Sequence, residues 1–309
     1  MLKPAFFLLV FIFSLSIWAL PEESQFHIKG SVFSYYSSHE LTKQNSEIEK
    51  VIISLHGSER NASTYFNSIS GLSQRLGVER KVLIIAPHFK LPTDSLLPQE
   101  LSWDSEGWLR GDESLNNSLV SSFELLDSMI SQLGRADVFP QLKDIVITGH
   151  SAGGQFVQRY AVGSQIQEDF SRLHFRFIVT NPGSYLYLTQ KRPFTPQVVC
   201  QYNDYKFGFN NLNNYMKRLS ISSLIDRYLP KDVIYFLGEM DTRSDDIDQS
   251  CPAQYQGRTR LERGLSFKAQ LEAEFPSAQH RLISVPGVGH TQYGMYTSEW
   301  GQRILFHEL

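Results

Sequence analysis

A serine between glycines, a histidine in a glycine turn and a carboxylate lying between them in the chain are the residues that could do chemistry. Ser151 stands in Gly149-His150-Ser151-Ala152-Gly153-Gly154, directly after the apolar run 144–148 (DIVIT) and directly before a helical pattern. The bare pattern GxSxG is weak, since a chain of this length carries about 0.1 such matches by chance at ordinary glycine and serine frequencies. Its setting makes it specific. A strand-to-helix turn lifts the hydroxyl clear of a sheet, and flanking glycines let the backbones approach closely. The helix that follows favours developing negative charge at its N-terminus, where the N–H of Ala152 can face a substrate oxygen. That combination fits nucleophilic attack on a carbonyl carbon.

A serine hydroxyl attacks poorly unless a base removes its proton. Among nine histidines, His290 is the candidate base, because it closes Gly287-Val288-Gly289-His290 just past the apolar run 281–285. Loops at the carboxyl ends of sheet strands are where ligand chemistry gathers in α/β folds. His150 adjoins Ser151 but is expected to point away from its side chain, and His56 is expected to hold its own loop in place. A third group must orient the imidazole and stabilise its charged form. Asp241, in Gly238-Glu239-Met240-Asp241-Thr242 after the run 232–237 (DVIYFL), is the candidate acid. Glu239 is its rival, nearer the strand end. Asp245, Asp246 and Asp248 read as a solvated turn later in the same loop.

Two backbone donors must hold the oxyanion. Ala152 supplies one, and Leu55-His56-Gly57-Ser58-Glu59-Arg60 the other, because its turn follows a strand expected beside that of the nucleophile. The N–H of Ser58 is the candidate, with Gly57 and Glu59 as alternatives; losing one such donor typically costs about 2.7–4 kcal/mol of transition-state stabilisation. For the substrate pocket the candidates are His56, Gly57, His150, Trp103 and Trp108. The two tryptophans belong to the polar loop 101–111 and could wall a pocket or pack beneath the loop.

These residues need a frame. The runs 51–55, 81–86, 144–148, 175–180, 232–237 and 281–285 are apolar without alternation, as strands of a sheet covered on both faces require. Helical spacing at 63–76, 118–133, 152–162 and 258–275 falls between them, so βαβ units and a three-layer α/β domain follow, with a mostly parallel sheet and helices on both faces. Residues 26–35 read as a first strand or hairpin. Segment 184–230, rich in Tyr, Asn and Phe, breaks the rhythm before the acid strand and reads as an insertion, either a cap over the sheet or a packed excursion.

Composition narrows the function further. With 29 Lys and Arg against 32 Asp and Glu in 309 residues, the formal charge is −3 and no basic stripe appears, which excludes nucleic acid as a partner. Lys3, an apolar run of about 16 residues, Ala19 and the break at Pro21-Glu22-Glu23 describe a secretory signal peptide over 1–20. The mature domain is then 21–309, exported and without a stable membrane span; an uncleaved N-terminal anchor is the alternative. Two cysteines, Cys200 and Cys251, favour one disulfide in an exported chain. Closing a loop of about 50 residues stabilises by roughly 4 kcal/mol on the chain-entropy model. No CxxC pair or histidine at ligand spacing points to a metal, and the chemistry needs no cofactor. Nothing in the sequence assigns an oligomeric state.

Taken together, LHGSERNASTYF, GHSAGGQFVQRYA, YFLGEMDT and PGVGH resemble the α/β-hydrolases from about residue 48 to 308. NPGSYLYL, the Cys200 region and SCPAQYQGRTRLERG resemble, more narrowly, a group of secreted serine hydrolases of bacteria and fungi. The resemblance implies the fold, the triad order Ser151, Asp241, His290 and the oxyanion hole. The His-Gly turn lacks the further glycines of HGGG-type lipases, which leaves the second oxyanion donor open. The expected activity is hydrolysis of a small-molecule or polymeric carboxylic ester through an acyl-Ser151 intermediate. A peptidase or amidase on the same residues is the alternative, and a catalytically silent recognition protein is the reading from another class.

Overall fold

The computed structural model describes residues 22–196 and 198–307. The signal peptide expected over 1–20 lies outside the described residues. Among those described, no helix is long and apolar enough to cross a membrane.

A hairpin of β1 (Ser24–Ile28) and β2 (Ser31–Ser37) precedes β3 (Lys50–Leu55), α1 (Ala62–Arg75) and β4 (Val82–Pro87). A short helix α2 (Gly107–Arg110) and a small ribbon of β5 (Glu113–Ser114) and β6 (Asn117–Ser121) lead into α3 (Ser122–Leu133). Next come β7 (Asp144–His150), α4 (Ala152–Gly163), β8 (His174–Thr180), α5 (Ile221–Tyr228) and β9 (Asp232–Gly238). The chain continues through α6 (Cys251–Gln254), α7 (Arg260–Glu274), β10 (Arg281–Val285), α8 (Gln292–Thr297) and α9 (Glu299–Phe306).

The large sheet has eight strands in the order β1-β2-β4-β3-β7-β8-β9-β10. Only the hairpin and the β2–β4 pair are antiparallel. Alternation along each strand sends side chains to two separate cores, as a pleat with period two must. Ile52, Val146, Ile178 and Ile234 pack with α1, α8 and α9 on one face. Val51, Ile53, Ile145, Ile147, Phe177 and Val179 pack with α3, α4 and α7 on the other. Both faces are dry, so the central strands read as unbroken apolar runs. The three-layer expectation holds.

Register decides where the strand ends fall. Leu55 of β3 lies opposite Gly149 of β7, His150 opposite Thr180 of β8, and Val285 of β10 opposite Gly238 of β9. The loops carrying Gly57, Ser151, Asp241 and His290 therefore leave one rim of the sheet together.

One sequence expectation changes. The helix read over 118–133 begins only at Ser122, because Ser121 and Glu124 form a capping box: Ser121 Oγ accepts from the Glu124 N–H at 3.1 Å, and Glu124 Oε2 from the Ser121 N–H at 2.9 Å. The residues before that cap pair as β6 instead. Much of segment 184–230 packs against the core. Tyr185, Leu186, Met216, Leu224 and Tyr228 are fully buried and join the core over α4. Cys200 in this segment is disulfide-bonded to Cys251 at the start of α6.

Candidate active site

Ser151 sits between the end of β7 and the start of α4 with φ 60° and ψ −117°, a left-handed backbone that a residue with a Cβ adopts only under strain. Close packing holds it there. A Cβ on Gly149 would come within 2.4 Å of the Gly153 backbone, and one on Gly153 within 2.4 Å of Leu55 O. Both positions exclude any larger residue, so the glycines of the motif are what let β3, β7 and α4 meet. The Ser151 N–H donates to Thr180 O at 3.0 Å, tying the turn to β8.

The rim assembles the other candidates around it. The His290 Nδ1–H donates to Asp241 Oδ2 at 2.7 Å, which leaves Nε2 as the acceptor. Asp241 is 1% exposed, so this hydrogen bond lies out of water. The Asp241 N–H donates to Gly238 O and the Leu261 N–H to Asp241 O, so Asp241 is held from both the β9 end and the first turn of α7. Glu239, the rival acid, is exposed, and it is Asp241 that bonds the imidazole.

His290 and Ser151 line one cleft of about 400 Å³ with Gly57, Ser58 and His150. A Cβ on Gly57 would lie 3.7 Å from Ser151 Cβ, so the peptide joining Gly57 to Ser58 runs beside Ser151. Ala152 begins α4, and its N–H is one of the first-turn donors that a helix leaves without an internal partner.

The remaining pocket candidates separate. His150 lines the cleft: its ring lies 4.5 Å from that of His290, with Nδ1 3.4 Å from Tyr65 Oη. Burial, then the charge of His290, pushes its basicity well down, so it stays neutral. His56, Trp103 and Trp108, expected from sequence as pocket candidates, are not among the described residues that line the cleft. Apolar area of that size is stabilised by burial, and the three rings form a cluster with Phe89 beneath the loop; the His56 and Trp108 centroids are 4.6 Å apart. His56 accepts from the Phe89 N–H at Nε2 (3.1 Å) and donates from Nδ1 to Gly57 O (2.9 Å). Burial pushes it down to about 3, so it is a neutral pin for the loop that carries Gly57 and Ser58.

Sequence reading missed Arg260, the first residue of α7. Its Nη1 lies 2.9 Å from Asp246 Oδ1 and 3.7 Å from Asp241 Oδ1, and its Nη2 donates to Asp246 O at 2.6 Å. The guanidinium beside Asp246 holds that carboxyl below its usual range. The signal that could have found it is the Thr259–Glu262 cap, which starts a helix directly after the acid loop. Asn61 and Tyr65, both within the LHGSERNASTYF stretch, line the cleft wall together with Gln292, which carried no motif. A larger hollow of about 880 Å³ opens at the opposite end of the strands, beside His174 and Lys231, away from Ser151.

Comparison with known proteins adds the frame. The structure resembles a poly(3-hydroxybutyrate) depolymerase from Bordetella parapertussis with a TM-score of 0.68 and 20% identity, over 93% of this chain and 90% of that one. It resembles poly(aspartic acid) hydrolase-1 from Sphingomonas sp. KT-1 with a TM-score of 0.67 and 20% identity, over 94% of this chain and 100% of that one. The chain has the α/β-hydrolase fold. No family model matches the sequence, and no curated protein matches it. Within the α/β-hydrolase fold, Ser151 occupies the turn after β7, Asp241 the loop after β9 and His290 the loop after β10.

Proposed function

We propose that this α/β-hydrolase-fold protein is a serine hydrolase that cleaves carboxylic esters through an acyl-Ser151 intermediate. The observation that carries the reading is the buried 2.7 Å hydrogen bond between Asp241 and His290, on a histidine that shares its cleft with a strained serine. Ser151 Oγ attacks the acyl carbon as His290 Nε2 takes its proton. The Ala152 and Ser58 N–H groups receive the oxyanion. Collapse breaks the bond to the leaving alcohol, which takes the proton from Nε2. Water, deprotonated by Nε2, then attacks the acyl carbon and releases the acid, returning the proton to Ser151. Asp241 keeps Nδ1 protonated and balances the imidazolium throughout.

A fluorophosphonate probe tests the nucleophile. Wild type should label and Ser151→Ala should not; labelling that survives the substitution removes Ser151 from the role. Absence of labelling in wild type, with no ester turnover, would point to a silent recognition protein. Faster cleavage of peptide p-nitroanilides than of matched p-nitrophenyl esters would move the assignment to an amidase. The leader pattern over 1–20 and the disulfide support an exported protein.

A further inference from the structure

Resting on that ester-hydrolase reading, we propose that the site selects short-acyl, uncharged, oxygen-rich esters and discriminates against both fatty-acyl and anionic ones. The wall around Ser151 and His290 is built from Ser58, Glu59, Asn61, Asp246, Arg260 and Gln292. Among the described residues lining the cleft there is no Leu, Ile, Val, Phe, Met or Trp side chain. The one large ring is that of Tyr65, which packs into the core with α1 and turns its hydroxyl toward His150 Nδ1 at 3.4 Å. The aromatic segment 184–230 offers no apolar wall either, because Tyr185, Tyr187, Phe209, Tyr215 and Tyr228 pack into the core and none of its described residues lines the cleft.

An acyl chain that slides along an apolar wall gains about fourfold in kcat/KM for each methylene taken out of water. Here each added methylene would meet amide and hydroxyl groups or solvent, and would displace their water without replacing its hydrogen bonds. Lengthening the chain therefore gains nothing and soon costs. Polar oxygens on the substrate, by contrast, find donors in the Ser58 hydroxyl and in the second amide hydrogens of Asn61 and Gln292, whose first ones go to Glu59 and Ser68.

Charge sets the second limit. Arg260 is the cation of the cleft, and it is taken up by Asp246 at 2.9 Å and by Asp241 at 3.7 Å. Glu59 is exposed and accepts from Asn61 Nδ2 at 3.1 Å. A substrate carboxylate would enter beside Glu59 and Asp246 and meet no unpaired cation among the described lining residues.

The test uses the full chain and p-nitrophenyl acetate, butyrate, octanoate and hemisuccinate, with glucose pentaacetate as the oxygen-rich probe. Acetate or butyrate should give the highest kcat/KM, octanoate at least about tenfold less, and hemisuccinate at least about tenfold less than butyrate. Glucose pentaacetate should release acetate and compete with p-nitrophenyl acetate. Asn61→Leu and Gln292→Leu should each raise the octanoate-to-acetate ratio. A kcat/KM that climbs from acetate to octanoate, or a hemisuccinate as good as butyrate, overturns the selectivity while leaving the ester-hydrolase reading intact. Without turnover of any ester and without fluorophosphonate labelling, that reading falls and the selectivity with it.

Discussion

Two histidines sit on carboxylates at opposite rims of the same sheet, one through a single ring nitrogen and the other through both. At the carboxyl rim, His290 gives one ring nitrogen to Asp241 and keeps the other. At the amino rim, His174 places Nδ1 3.2 Å from Asp144 and Nε2 3.4 Å from Asp232, so both nitrogens face carboxylates. Those two partners, opposed by burial, push His174 up to about 9, and Arg176 and Arg281 close the network by bonding Asp232. A histidine held in its charged form by two acids has no lone pair to offer at neutral pH. The pairing of His290 is incomplete and a strained serine shares its cleft, as the proposed base role requires.

That contrast can be broken at several points. The largest effect is expected for Asp241→Asn, which should lower kcat on p-nitrophenyl acetate by about 10³–10⁴-fold through loss of the correct tautomer. Glu239→Gln should stay within about twofold; an equal or larger loss there would transfer the acid role. Arg260→Gln leaves the buried Asp241 Oδ1 without its nearest cation, and kcat should fall about tenfold, roughly 1.4 kcal/mol, with partial recovery in Arg260→Lys. Equal activity of wild type and Arg260→Gln would show that Asp241 needs no such support.

The smallest effect belongs to the other rim. His174 is raised in the folded chain above its unfolded value, so its stabilising contribution is full below about pH 6.5 and is lost as pH climbs through about 9. Because the ring is half exposed, solvent screening limits that contribution to about 1 kcal/mol or less. Urea melts of His174→Gln should show this deficit at pH 6 and a closing gap by pH 10, with kcat unchanged. A kinetic defect in His174→Gln would contradict the division of labour between the rims.

Much of the site was legible because its chemistry demands scarce residue types in tight backbone settings. Gly149 and Gly153 announce themselves: each marks a place where two backbones touch, and no other residue fits. The apolar runs were equally legible, since strands buried on both faces cannot alternate. What escaped were residues whose role depends on a fold-mediated meeting. Trp103 and Trp108 in a polar loop read equally as a pocket wall or as packing beneath the loop, and only the fold, by burying them with His56 and Phe89, decides for the second. The β6 ribbon was hidden by apolar spacing that suits a helix, although Ser121-x-x-Glu124 was already written in the chain as a cap.

From the chain alone come the strand and helix periods, the strand-to-helix serine turn, and the order of serine, acid and histidine, because each is local. Tertiary structure alone decided which carboxylate bonds the imidazole, which histidines are buried and neutral, and that Arg260 stands beside Asp241. Those outcomes depend on parallel register bringing distant loops to a common rim, where burial and charge act through space and sequence distance no longer counts.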